Sequence, residues 1–195
     1  MKKYLAIVLI FVSMGAIAQV EKGKYFVGGS ADISVSYIGK NSGFNLGVSP
    51  NFGVVVVRGF VVGARYSFTI SSAKNYDNTK KEYVTTTTYS SAIGPIFRYY
   101  PGKKQLKGVI VFNPAYLTTT TMRKSSVSGT HGFNLYGAAG IAYFVNDHIS
   151  IETLLYANVS GYVKVLPTTR IGLSVGVFTF LDKKKKETAL PKAEL

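Results

Sequence analysis

Long stretches of this chain alternate apolar residues with small or polar ones, and every charged residue inside them falls on the side opposite the apolar stripe. The clearest stretch sets Phe44, Leu46, Val48, Phe52, Val54 and Val56 against Asn45, Gly47, Ser49, Asn51 and Gly53. Successive side chains of a strand point to opposite faces, so a period of two marks a sheet with one apolar face. Asp32, Arg65, Arg98, Glu152 and Arg170 all lie on the other face. Two arrangements satisfy this pattern. A soluble sheet packs its apolar stripe inward, whereas a barrel in lipid turns the stripe outward and encloses the polar side chains. Alternation alone does not separate them.

The N-terminus does. Lys2 and Lys3 precede an apolar run at 4–14, and Ala16-Ile17-Ala18 forms a small-x-small site before Gln19. These are the three parts of a secretory signal peptide over residues 1–18. The apolar run is too short for a membrane helix, which needs roughly 20 residues. Cleavage after Ala18 leaves 177 of the 195 residues, a length that suits one domain. The chain has no cysteine, so it has neither a lipid-anchoring thiol at the cleavage site nor disulfides to staple the fold. The formal charge of +14 falls to +12 without Lys2 and Lys3. An exported chain rarely meets nucleic acid, and the basic residues cluster in connections and at the C-terminus rather than on one face. No nucleic-acid partner is expected; the basic residues are either simply solvated or in contact with anionic lipid headgroups or lipopolysaccharide phosphates.

Eight strand-like runs follow, at 24–37, 44–57, 61–71, 84–100, 109–120, 132–144, 149–160 and 168–180. Each is long enough to cross a bilayer with tilted strands of about 9–11 residues; soluble strands average nearer 5–6. The fifth run is apolar on both faces and contains Pro114, which cannot donate to a ladder, so Phe112, Pro114 and Tyr116 are placed outward with a bulge or broken pairing at the proline. The connections 38–43, 72–83, 121–131 and 161–167 outlast 58–60, 101–108 and 145–148 on average, the asymmetry expected of extracellular loops against periplasmic turns. Facing parity predicts a three-residue Arg58-Gly59-Phe60 loop with Gly59 at positive φ, a three-residue Val145-Asn146-Asp147 turn and a four-residue loop at 39–42. Tyr25, Tyr66, Phe68, Tyr99 and Tyr143 fall near strand ends, where aromatic girdles would sit. The predicted fold is all-β: an eight-stranded antiparallel up-and-down transmembrane β-barrel over 19–181, followed by a charged, disordered tail at 182–195.

With that address, those strands, the opening Tyr25-Phe26-Val27-Gly28-Gly29-Ser30 and the segment Ile93-Gly94-Pro95-Ile96-Phe97-Arg98-Tyr99-Tyr100, the chain resembles the small porin-like outer-membrane β-barrel proteins of Gram-negative bacteria. The resemblance covers about Gly23 to Phe180. It implies an integral outer-membrane protein, a monomer, in contact with outer-membrane lipid and lipopolysaccharide, and handled by the barrel-assembly machinery during biogenesis. Family members commonly end on an aromatic residue that this machinery reads. Here a tail follows Phe180, so either the signal is internal, around Val175–Phe180, or the last strand lies elsewhere.

Chemistry-bearing motifs are sparse. The sequence has no phosphate-binding glycine loop, paired Cys/His metal set or nucleophile elbow, so neither a cofactor nor a metal is expected. His131 and His148 fall at opposite ends of the predicted barrel. Lipid A deacylases of the outer membrane are also eight-stranded barrels, with a lipid-facing His/Ser pair. His131 sits at about that height with Ser126, Ser128 and Thr130 nearby, but Phe133 stands where the serine would be. The expectation is therefore a barrel that is not an enzyme, with loops for surface contact or adhesion and at most a narrow pore. The alternatives are such a lipid-modifying enzyme or a secreted soluble lipid-binding barrel. Asp32, Arg65, Arg98, Glu152 and Arg170 are expected to form a structural charge network in the lumen, since unpaired ions there would be costly.

Overall fold

The computed structural model describes residues 20–38, 41–77, 82–102, 105–123, 126–162 and 165–182. They contain eight strands: β1 (Tyr25–Ile38), β2 (Asn41–Val57), β3 (Phe60–Asp77), β4 (Glu82–Tyr99), β5 (Leu106–Arg123), β6 (Ser126–Phe144), β7 (Ile149–Tyr162) and β8 (Val165–Leu181). Each is antiparallel to its sequence neighbours, and β8 returns to β1, closing the barrel. The signal peptide expected at 1–18 lies outside the described residues, as does the expected tail apart from Asp182; Val20 to Lys24 lead into the first strand.

The apolar stripes face outward. Val48 is 53% exposed while its neighbour Ser49 is 1% exposed, and Leu173 is 56% exposed beside Ser174 at 1%. The same alternation runs round the wall, and Phe112 and Tyr116 of β5 also point out. The fold is thus the inverted one, and the soluble alternative with inward stripes is not the arrangement adopted. Outward aromatics gather at both ends, with Tyr25, Tyr99 and Tyr143 at the end where the chain enters (the lower end) and Tyr83, Tyr116 and Phe133 toward the other.

The expected difference in loop length does not hold. Between described strands, the upper end leaves only residues 39–40, 78–81, 124–125 and 163–164, whereas the lower end has 58–59, 100–105 and 145–148. The stretches taken for long loops are strand. Ser72 to Asp77 of β3 and Ser126 to His131 of β6 are mostly polar or small, so they pair in ladders without contributing to an apolar stripe. Hydropathy therefore ends the strands too early.

The turns show where parity reasoning succeeds and where it falls short. The body of the β2–β3 ladder keeps even pairings such as Val54↔Val62, but the turn itself is the two-residue Arg58-Gly59, because the register shifts between Val55 and Val57 before Val57↔Phe60. A bulge absorbs the odd residue. Gly59 does carry a positive φ of 76°. At the β6–β7 connection Val145 N donates to Ile149 O at 2.9 Å, so the three-residue turn is Asn146-Asp147-His148, one position later than expected. Asn146 Oδ1 caps it, accepting from His148 N and Ile149 N, both at 2.8 Å. Ile38↔Asn41 keeps the odd pairing expected between β1 and β2 but with a shorter connection.

Prolines interrupt two ladders without shifting them. Pairing between β4 and β5 stops at Ile93↔Tyr116 and resumes in the same register at Phe97↔Phe112, which sets Pro95 opposite Pro114. Neither has an N–H to give. Asn113 Nδ2 fills part of the gap, donating to Pro95 O at 2.7 Å. Pro50 breaks the β2–β3 ladder in the same way, between Val48↔Phe68 and Asn51↔Arg65.

Candidate functional site in the barrel lumen

Eight strands enclose a space that side chains can fill, and here they fill it in layers. The lowest layer is aromatic. Phe26, Phe144, Phe178 and Phe180 are all buried, with Phe26 stacked on Phe178 at 4.9 Å and Tyr100 edge-on to Phe180 at 5.7 Å. These rings sit at the lower ends of β1, β6 and β8 and just beyond β4, on the face that elsewhere carries small and polar residues. The sequence reading missed them. Their signal was present: large aromatics on the wrong face, all at one end.

Arg98 and Glu152 lie in this dry floor and form an ion pair, at 2% and 0% side-chain exposure. Tyr100 OH donates to Glu152 Oε1 at 2.8 Å and Ser150 Oγ lies 3.4 Å from the same oxygen, so both carboxylate oxygens are engaged. The guanidinium carbon stands 4.2 Å from the Phe178 ring centre and 5.0 Å from that of Phe26. Ring faces and a partnered carboxylate replace the water that a buried cation would otherwise lose.

The next layer is built on Asp32. Its Oδ2 accepts from Arg65 at 3.1 Å and from Ser49 Oγ at 2.9 Å, and Arg65 also donates to Ser49. The Arg65 guanidinium carbon stands over Tyr136, 3.9 Å from the ring centre, and Tyr136 stacks on Tyr156 at 5.3 Å. Of the five charged residues singled out from the sequence, four are thus brought together as two pairs, Arg65–Asp32 and Arg98–Glu152. Arg170 joins no ion pair among the described residues; it lines a polar chamber above the tyrosines.

That chamber has about 30 Å³ of room for water centres and continues into a second of about 20 Å³, the two sharing Ser67, Thr69, Asn134, Asn158 and Arg170. A single water needs roughly 10–15 Å³ on this measure, so the chamber holds a few waters or one small solute. Above it, hydroxyl pairs tie β4 to β5: Ser90–Thr119 at 3.1 Å and Thr88–Thr121 at 3.4 Å.

The histidines are apart. His131 is exposed near the upper end and stacks on Tyr116 at 6.0 Å, while His148 lies at the lower end with Nδ1 2.9 Å from Phe180 O. Ser128 and Thr130 are on the face of β6 opposite His131, as even and odd positions of one strand must be. The side chain of Ser126 lies outside the described residues. No group of three or more His, Cys, Asp or Glu side chains among the described residues is placed to hold a metal.

An outward apolar wall around a lumen floored by packed aromatics and a buried ion pair defines a class, the small eight-stranded barrels known from bacterial outer membranes. The chain is similar in fold to Neisserial surface protein A, with a TM-score of 0.51 at 19% identity over 80% of this chain and 96% of that one. It is similar also to the outer membrane protein OprG from Pseudomonas aeruginosa, with a TM-score of 0.52 at 13% identity over 86% of this chain and all of the other. At these identities the likeness is one of fold. No family model and no curated protein sequence matches the chain.

Proposed function

We propose that this chain is an integral outer-membrane protein, exported by a signal peptide cleaved after Ala18, that acts without catalysis as a sealed barrel presenting a polar β-rim to the cell exterior. The observation that carries this reading is the facing: a continuous apolar exterior around buried ions. In lipid that exterior needs no partner, whereas in water it would be a very large exposed apolar surface. The lower end, with its aromatic floor, faces the periplasm.

The rim replaces the loops expected from the sequence as the contact surface. β3 and β4 stay paired to Asp77↔Glu82, beyond the last β4–β5 pair at Thr87↔Met122. β5 and β6 stay paired to Arg123↔Ser126, beyond the last β6–β7 pair at Gly132↔Tyr162. Two threonine-rich hairpins therefore project past their neighbours, suited to contact with a cell surface or with lipopolysaccharide, whose phosphates attract basic residues such as the exposed Lys74. The protein works as a monomer, and the assembly machinery reads the end of β8, around Val175–Phe180.

Carbonate extraction of membranes, with gels run before and after heating, tests the reading. The expected result is retention in the membrane fraction, a heat-modifiable band and a mature chain beginning at Gln19. Release into the soluble fraction without heat modification would overturn it. Shortening both hairpins, with cell binding as the readout, tests the rim separately.

A further inference from the structure

The upper chamber carries one positive charge that nothing on its wall balances. Arg65 is matched by Asp32, whose Oδ2 is held by Arg65 and Ser49, and no carboxylate is paired with Arg170 among the described residues. The ladder between β7 and β8 sets Asn158 directly across from Arg170, and that between β6 and β7 sets Asn134 across from Ser160. Directly opposed side chains are close enough to share a ligand. Ser160 Oγ lies 3.0 Å from Asn134 Oδ1 and 3.4 Å from Asn158 Oδ1, so its hydroxyl hydrogen is offered to the oxygen sides of both amides. Both Nδ2 groups are left without a protein partner among the described residues. Tyr136, only 3% exposed, adds a buried hydroxyl that also lacks one.

The same small space thus gathers a guanidinium, two amide N–H₂ groups and a phenol as donors. It also holds a buried, unpartnered acceptor, Asp32 Oδ1, on the residue that β1 sets opposite Ser174, four positions along β8 from Arg170. A buried hydroxyl without a partner and an unmatched charge are each costly. One species removes both costs: an acceptor carrying a single negative charge. The room available fits a monatomic ion or a few waters. We propose that this chamber is a binding site for a small monovalent anion of halide size, held by Arg170, Asn134 and Asn158 with Tyr136 beneath. The site does not depend on which membrane the barrel occupies.

The test uses the full mature chain folded in detergent micelles, with chloride titrated against gluconate at constant ionic strength and followed by chloride NMR line broadening. Crystals soaked in bromide locate the ion. Saturable broadening is expected, together with an anomalous bromide peak between Arg170 and the two asparagines. Arg170→Gln should weaken binding at least about tenfold, the effect of losing one charge-assisted contact, and Arg170→Lys should restore part of it. Asn158→Asp, nearly isosteric, supplies the missing carboxylate and should abolish binding even if Arg170→Gln fails to fold. Non-saturable broadening, bromide peaks confined to surface lysines, or binding unchanged in Asn158→Asp would each overturn the proposal.

Discussion

Arg98 on β4 and Glu152 on β7 form an ion pair across the barrel floor, between strands that share no ladder. Hydrogen bonding around the wall already fixes neighbouring strands, so this pair ties together parts of the wall that backbone pairing does not join. Removing one member leaves the other as a buried, unmatched ion. Arg98→Met and Glu152→Leu should each destabilise the barrel by about 3–5 kcal/mol, whereas the double variant should recover much of the loss because Phe26 and Phe178 already make the surroundings apolar. Guanidinium unfolding in micelles measures this. A double variant as unstable as the sum of the singles would show that the pair is not a unit.

The floor also bears on permeation. With four phenylalanines, Tyr100 and an ion pair across the lower lumen, the purified protein in planar bilayers should show no steady conductance of general-porin size. Small, frequent openings should appear when Arg98 and Glu152 are both replaced by serine. Large steady openings in the unaltered protein would mean that the floor is not closed in the membrane.

Gly94 lies where the two prolines face each other. A Cβ built there would meet Pro114 O and stand 2.6 Å from Ala115 Cα, both backbone atoms that cannot swing away, whereas a Cβ at Gly137 meets nothing within 4 Å. Gly94→Ala should therefore slow or prevent folding into liposomes and Gly137→Ala should leave it unchanged, as read by the fraction of heat-modifiable band. Equal behaviour of the two would show that the β4–β5 gap is looser than its geometry indicates.

Charge substitution separates lipid from lumen. Val48→Arg should cost roughly 2–4 kcal/mol near the bilayer midplane, while Thr69→Glu, on the chamber wall that also carries Arg170, should cost less. Ser49 and Ala142 face the lumen too but make poor controls. Ser49 is bonded to Asp32 and Arg65, and Ala142 pairs with Glu152 in the packed floor, so an arginine at either site would be crowded as well as charged. Unfolding titrations from lipid vesicles compare the first two.

Facing was legible in the sequence because alternation such as Val48-Ser49 and Leu173-Ser174 survives every local irregularity. Register parity was legible too, but its realisation at a turn was not: the shift around Val56 and the offset at Asn146 are choices between turns of similar length, decided by one Asx cap or one bulge. The upper ends of β3 and β6 were hidden because Ser72 to Asp77 and Ser126 to His131 are mostly polar or small, so pairing there leaves little hydropathy signal. Asp32, Arg65, Arg98 and Glu152 stood out as inward charges, but which acid meets which base depends on distances across the lumen that no single strand records. Arg170 illustrates the limit. Nothing in its strand distinguishes it from the paired arginines, and only the closed barrel shows that its opposite neighbour is Asn158 rather than an acid.

The absence of cysteine from the chain makes the inversion directly measurable. Single cysteines at Val48, Leu155, Ser67 and Thr69 can each carry a nitroxide in the barrel reconstituted into liposomes, and collision rates with oxygen and with a water-soluble nickel chelate report what each position touches. Val48 and Leu155 should favour oxygen, which partitions into lipid, while Ser67 and Thr69 should be shielded from it. Oxygen-shielded labels at Val48 and Leu155, with lipid contact at Ser67 and Thr69, would place the apolar stripe inside and contradict the membrane barrel outright.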